Sequence, residues 1–151
     1  MSKWLASARL MVILALLSLF CTASCAPVRM MANYDALIDS GATQIQKRID
    51  TFLIAQERTR GTPEAFYANS LSWYESMGVD IELLRDRALL QNKNEDTLEM
   101  IDKLQQNLAL LKKIHEHYPE GIPQSEIPTL RTGFDVPCQA IIKLELAKKR
   151  E

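Results

Sequence analysis

Apolar residues recur every three or four positions from residue 34 onward, which is the spacing of one face of an α-helix. Four such series occur in turn, separated by short stretches rich in polar residues, Gly and Pro. The chain is therefore expected to form four amphipathic helices. The series are Tyr34, Ile38, Gly41/Ala42, Ile45, Ile49 and Phe52; then Phe66, Ser70, Trp73, Met77, Ile81, Leu84 and Ala88; then Ile101, Leu104, Leu108, Leu111, His115 and Tyr118; then Ile127, Leu130, Phe134, Cys138, Ile141 and Leu144.

The stretches between the series carry helix start and stop signals. "RTRGT" around Gly61 ends the first helix, and the second is predicted to start at Thr62, with Thr62 as N-cap and Pro63 at the first helical position. Asn94 is the predicted N-cap of the third helix, which "YPEGIP" at residues 118–123 terminates.

The fourth helix is predicted from about Pro128 to Arg150, with a bend near Pro137 because a proline inside a helix lacks the N–H of a backbone hydrogen bond. Four amphipathic helices joined by short connections favour antiparallel neighbours. The predicted fold is therefore an all-α, antiparallel up-down bundle of about four helices. A chain of this length can bury a sufficient core without disulfides.

The amino terminus differs from the rest. "MSKWLASAR" has two basic residues and no acid, Leu10–Phe20 is apolar apart from Ser18, and small residues follow at 22–24. This order is that of a secretory signal peptide. The apolar run is shorter than the roughly 20 residues that a bilayer-spanning helix requires. A signal peptide is therefore favoured over a retained membrane helix.

"TASC" at Thr22–Cys25 resembles the lipobox of bacterial lipoproteins, in which an aliphatic residue and two small residues precede an acylated cysteine. Ala23 and Ser24 match the small positions, and Thr22 stands where the family prefers Leu, Val or Ile. The resemblance implies that signal peptidase II cuts between Ser24 and Cys25. It also implies that Cys25 carries a diacylglycerol and an N-acyl lipid such as palmitate, with no further cofactor.

Acylation by several chains implies stable anchoring to the lipid bilayer. Ala26 is not the aspartate that the family uses for inner-membrane retention, so the resemblance implies the periplasmic face of the outer membrane. The expected organisation is a signal peptide over 1–24, a lipidated tether over 25–33 and a helical domain over 34–151. Cleavage after Ser24 by an ordinary signal peptidase, giving plain secretion, is the alternative.

The charge of the chain argues against nucleic-acid binding. Residues 25–151 carry 16 basic and 19 acidic side chains, a formal charge of −3. Basic residues concentrate only in the terminal "KLELAKKRE", where cations at the carboxyl end of a helix are a sufficient explanation.

The two histidines do not form a recognisable metal site. His115 and His117 lie about 200° apart around a helix, so they cannot easily share an ion, and neither has the preceding Glu of a di-iron motif. We expect a satisfied, half-buried His115 on the apolar seam and a solvated His117. No metal is therefore predicted.

No pattern of residues indicates catalysis. Cys138 lies on an apolar helix face and is predicted to be a buried thiol, and no serine-nucleophile or phosphate-loop motif occurs. In "FYANSLSWY" the aromatic residues form two stripes, of which Tyr67 and Tyr74 make the candidate partner surface. The alternative is that both tyrosines lie at the edge of the core.

These observations favour a non-catalytic, membrane-anchored protein that takes part in interactions or envelope assembly, with an unidentified envelope protein as partner. The rival hypothesis is a periplasmic four-helix bundle that binds a ligand or a haem held by one histidine and one methionine. An enzyme comes third, since no catalytic group of residues is recognised.

Overall fold

The computed structural model describes residues 32–150. Four α-helices account for most of this range: α1 (Ala36–Thr59), α2 (Leu71–Leu89), α3 (Glu95–His117) and α4 (Ile127–Lys148). Two short 3-10 turns, Pro63–Ala65 and Tyr67–Ser70, connect α1 to α2. No strand occurs within residues 32–150, so the predicted all-α fold is confirmed.

Hydrogen bonds and ion pairs between helices show that α1 runs antiparallel to α4, and α2 to α3. At the start of α1 the backbone N–H of Asp35 donates to Glu145 near the end of α4, and farther along Gln46 donates to Asp135. Between α2 and α3, Arg85 pairs with Asp102 while the earlier Tyr74 meets the later His115. Helix α4 packs against both α1 and α3, which closes an up-down bundle.

The predicted apolar faces form the core. Most members of the four series are buried, and Leu108 is half-buried against the core, whereas Tyr118 is exposed. Burial of these side chains supplies the main favourable free energy of folding. The fully buried large residues are Phe134, Ile38, Ile49, Leu53, Met77, Ile81, Ile101, Leu104, Leu111, Ile122, Ile127 and Ile141.

The structure gives the starts of the first two helices, and the start of the second differs from prediction. Helix α1 begins after Asp35, whose side chain accepts a hydrogen bond from the Leu37 N–H as an N-cap. The second α-helix begins at Leu71 rather than near Thr62, and the Thr62 side chain makes no capping bond. The segment before it has Pro63 and short-range 3-10 turns, which position Tyr67 but do not extend into α2.

Helix α4 continues through Pro137 without interruption. Pro137 cannot donate to the carbonyl of Gly133, four residues earlier, because it has no N–H. The Asn107 side chain on α3 donates to that carbonyl instead, at 2.6 Å. A neighbouring helix thus supplies the hydrogen bond that the proline removes.

The predicted signal peptide, the cleavage position between Ser24 and Cys25 and the lipidated Cys25 lie outside the described residues. Within residues 32–150, no helix has the length and hydropathy needed to cross a membrane.

Candidate functional site

Two groups of polar and aromatic side chains lie at opposite ends of the bundle. The tether end is formed by the start of α1, the turn between α2 and α3, and the end of α4. The far end is formed by the end of α1, the 3-10 turns, the start of α2 and the end of α3. The sequence singled out residues at the far end, and the structure adds those at the tether end.

An aromatic cluster fills the far end. Trp73 stacks on Phe52 with ring centroids 3.8 Å apart, and Tyr74 meets Phe52 edge to face. Tyr67 packs edge to face on the ring of His115 at 5.5 Å. Ring pairs of this kind add about 0.5–1.5 kcal/mol each beyond the area that they bury. The cluster therefore joins α1, α2, α3 and the 3-10 turns.

His115 is completely buried within this cluster, and both of its ring nitrogens are hydrogen-bonded. Its Nε2 lies 2.8 Å from the carbonyl oxygen of Ala65, so Nε2 must donate. Its Nδ1 then accepts from the Tyr74 hydroxyl at 3.0 Å. Burial lowers the pKa of His115, and the hydrogen bond to Ala65 opposes this shift only partly. The ring is therefore neutral and positions the turn that carries Ala65.

The predicted partner surface is wrong for Tyr74. Only 4% of Tyr74 is exposed, because its hydroxyl is directed at His115 inside the core. Burial, with a smaller effect of Tyr67, raises the pKa of the Tyr74 phenol far above its ordinary value. Tyr67 is half-buried and packs against the core, and a role for it in partner binding stays a prediction.

His117 and Cys138, which the sequence analysis also considered, lie outside the aromatic cluster. His117 is exposed two residues beyond His115, as the helical spacing predicted. Cys138 is buried and free, and burial, reinforced by the charges of Asp135 and Asp50, raises the pKa of its thiol to about 12. Among residues 32–150, no group of three His, Cys, Asp or Glu side chains could hold a metal ion.

The tether end contains a buried ion pair that sequence analysis missed. Lys148 and Glu145 lie three residues apart on α4, with Nζ and Oε1 at 2.5 Å, and both are buried. The same ammonium donates to the side chains of Asn94 at 2.6 Å and Thr97 at 3.1 Å. All three Lys148 donors are therefore used, as a buried charge requires. Lys148 lies in the last turn of α4, where the sequence predicted cations, but its burial was not predicted.

The second carboxylate oxygen of Glu145 binds the start of α1. It accepts a hydrogen bond from the backbone N–H of Asp35 at 2.9 Å. The Asp35 carboxylate in turn forms an ion pair with Arg87 at 2.8 Å and accepts from Gln91 at 3.0 Å. Burial would raise the pKa of Asp35, but Arg87 and the Leu37 N–H outweigh it and lower that pKa.

Asn94 is the N-cap residue of α3 as predicted, but its side chain makes no capping hydrogen bond. Its side-chain amide donates to the Ala88 carbonyl near the end of α2, while its oxygen accepts from Lys148. The Ala32 backbone N–H donates to the carbonyl of Lys93 in the same turn. The chain therefore enters the fold at the α2–α3 turn, which α1 and α4 hold in place. The signal available in the sequence was the continuation of the α4 face from Ile141 to Glu145 and Lys148.

This arrangement holds Ala32 against the α2–α3 turn and Asp35 against the end of α4. Neither end brings together a nucleophile, a base and an open space for a substrate among residues 32–150. Comparison with known protein families, with curated proteins and with solved structures finds no match for the chain.

Proposed function

We propose that the protein is a bacterial lipoprotein, acylated at Cys25 and anchored to the periplasmic face of the outer membrane. We further propose that its helical bundle acts there as a non-catalytic interaction or envelope-assembly protein. The observation that carries the proposal is the order of features over residues 3–25: basic residues, an apolar run, small residues and a cysteine.

The arrangement of the tether end supports this proposal. Ala32, seven residues after Cys25, donates a backbone hydrogen bond to Lys93 in the α2–α3 turn. The Asp35 backbone is then held by the buried Glu145. An anchored domain benefits from such an attachment, since the tether joins a part of the fold that several helices hold in place.

The acylation is tested by substituting Cys25 and following the fate of the chain. Cys25→Ser should abolish incorporation of labelled fatty acid and leave the unprocessed precursor in the cell. Cys21→Ser is the matched control, because a cysteine within the signal peptide should not affect either readout. Undiminished labelling of the Cys25→Ser protein would contradict the proposal.

The interaction role is tested by crosslinking in the native envelope. A photo-reactive residue at Tyr67, at the edge of the far end, should give a defined adduct with an envelope protein. The same photo-reactive residue placed at His117, an exposed position at the end of α3, serves as the comparison. A second test uses the Tyr67→Ala protein with the photo-reactive residue at another exposed position that captures the partner. If the yield of the adduct is unchanged by Tyr67→Ala, then Tyr67 is not part of the contact.

A further inference from the structure

Exposed leucines cluster at the tether end. Leu90, in the turn after α2, is 83% exposed, and its neighbour Leu89 is 52% exposed. Leu37, in the first turn of α1, and Leu146, near the end of α4, are 57% and 42% exposed. Single exposed leucines are ordinary, but four of them lie at one end of the bundle, within or directly after three of its helices, so apolar contact at this end would cover them.

The point at which the chain enters the fold lies beside these leucines. Ala32 bonds to Lys93, three residues after Leu90. The seven residues from Cys25 to Ala32 can span at most about 25 Å when fully extended. Helix α1, with 24 residues, is about 36 Å long, so the far end lies well beyond the tether end. A lipid on Cys25 would therefore limit Ala32 to within about 25 Å of the bilayer surface, with the leucines of the tether end nearer to it than the far end is.

The charged groups at this end are balanced. Three exposed cations, Lys93, Lys149 and Arg150, stand against three exposed acids, Asp86, Glu95 and Asp96. Lys149 also lies over the ring of Tyr34. Attraction to anionic headgroups would require an excess of cations. The contact expected here is thus apolar insertion at the interface, as for other interfacial elements, with little dependence on salt.

We propose that the tether end docks on the lipid surface, with Leu89 and Leu90 inserted among the acyl chains and Leu37 and Leu146 at the rim of the contact. The inference rests on the proposed acylation of Cys25. Docking would orient the bundle with the far end, including Tyr67, directed into the periplasm.

The experiment places an environment-sensitive fluorophore at the tether end of the acylated protein. The full protein is expressed with Leu90→Cys, purified from membranes, labelled with a maleimide dye and reconstituted into vesicles of phosphatidylethanolamine and phosphatidylglycerol. Cys138 is completely buried, so labelling in the folded state is confined to the new thiol. The control is Leu110→Cys on α3, because Leu110 is also an exposed leucine but lies toward the far end.

Docking predicts that brominated lipids remove most of the emission of the dye at Leu90→Cys and little of the emission at Leu110→Cys, at both low and high salt. Equal quenching at the two positions would overturn the inference. The inference would also be overturned if the emission of the dye at Leu90→Cys showed shielding from water but brominated lipid did not quench it. Another protein or a second copy of the chain would then cover this end. The Leu89→Asn change in the labelled protein should reduce the quenching.

Mass spectrometry of the same preparation separates the two proposals. An acylated protein with unquenched dye overturns docking and leaves the lipoprotein proposal intact. A protein without the acyl mass overturns both, because the inference depends on the anchor.

Discussion

The side-chain amide of Asn107 donates a hydrogen bond of 2.6 Å to the carbonyl of Gly133, which Pro137 leaves without its helical partner. This contact joins α3 to α4 at the position where Pro137 removes a hydrogen bond from the backbone ladder of α4. The carbonyl is partly buried, so leaving it unpaired would cost free energy. The contact therefore explains how α4 accommodates a proline well inside its length.

Removing the amide should destabilise the bundle only while the proline is present. Asn107→Ala should lower the free energy of unfolding by about 1–2 kcal/mol, because the Gly133 carbonyl loses its donor. In a Pro137→Ala background the new N–H can donate to that carbonyl, so the cost should fall. Urea unfolding followed by circular dichroism measures both costs in a double-mutant cycle. Equal costs in the two backgrounds would show that Asn107 does not compensate for the proline.

Breaking the buried ion pair of the tether end should be costly. Lys148→Met leaves the Glu145 carboxylate buried without its cation, and we expect a loss of about 3–5 kcal/mol in the free energy of unfolding. Adding Glu145→Gln should recover part of this loss, since the amide oxygen can still accept from the Asp35 N–H. Thermal and urea unfolding should give a smaller loss of stability for the double variant than for Lys148→Met alone.

An exposed ion pair supplies the control for that experiment. Lys103 and Glu99 lie four residues apart on the surface of α3 and are both well exposed. Lys103→Met should cost no more than about 0.5 kcal/mol. Similar losses for Lys148→Met and Lys103→Met would mean that the buried pair contributes little to stability.

The features of the fold that follow from a regular spacing along the chain can be predicted from the sequence, whereas those that depend on individual side-chain contacts cannot. Helical periodicity predicts the four helices and places His115 on an apolar face, because such a face must be covered wherever it occurs. It predicts a half-buried ring, whereas His115 is completely buried. It does not distinguish an α-helix from 3-10 turns between Pro63 and Ser70, where proline and short-range bonds override the pattern. It also does not show that the Asn94 side chain turns back to Ala88.

The candidate sites illustrate the same limit. Tyr67 and Tyr74 share one helical spacing, yet Tyr74 is buried because its hydroxyl has a partner in His115. The polar pair Glu145 and Lys148 continues an apolar face and would ordinarily be assigned to solvent. Its burial depends on partners from two other helices, which spacing along one helix cannot reveal.

The buried histidine should make stability depend on pH. Its pKa in the folded state is lowered from 6.5, so the unfolded chain binds a proton that the folded chain does not. The free energy of unfolding should therefore be highest above about pH 6.5 and fall below it, by up to about 1.4 kcal/mol per pH unit from this one group. Urea unfolding between about pH 5 and 8 measures the slope.

Substitution of each histidine in turn isolates that effect. His115→Gln should lower stability at neutral pH and flatten the slope, whereas His117→Gln at an exposed position should leave the slope unchanged. The lowered pKa of Asp35 also makes stability fall with acid, but only below its ordinary value of 3.8. An unchanged slope in His115→Gln would assign the pH dependence to other groups.

Counting thiols in the mature protein tests the fates of Cys25 and Cys138 together. An acylated Cys25 carries a thioether, and Cys21 leaves with the signal peptide, so Cys138 should be the single thiol. Because Cys138 is buried and its pKa is raised to about 12, it should not react with a disulfide reagent at pH 8 until the protein unfolds. The expected count is zero in the native protein and one in denaturant, with Cys138→Ala giving zero in both. Two thiols in denaturant would indicate an unacylated Cys25 and plain secretion, and rapid native reaction mapped to Cys138 would contradict its burial.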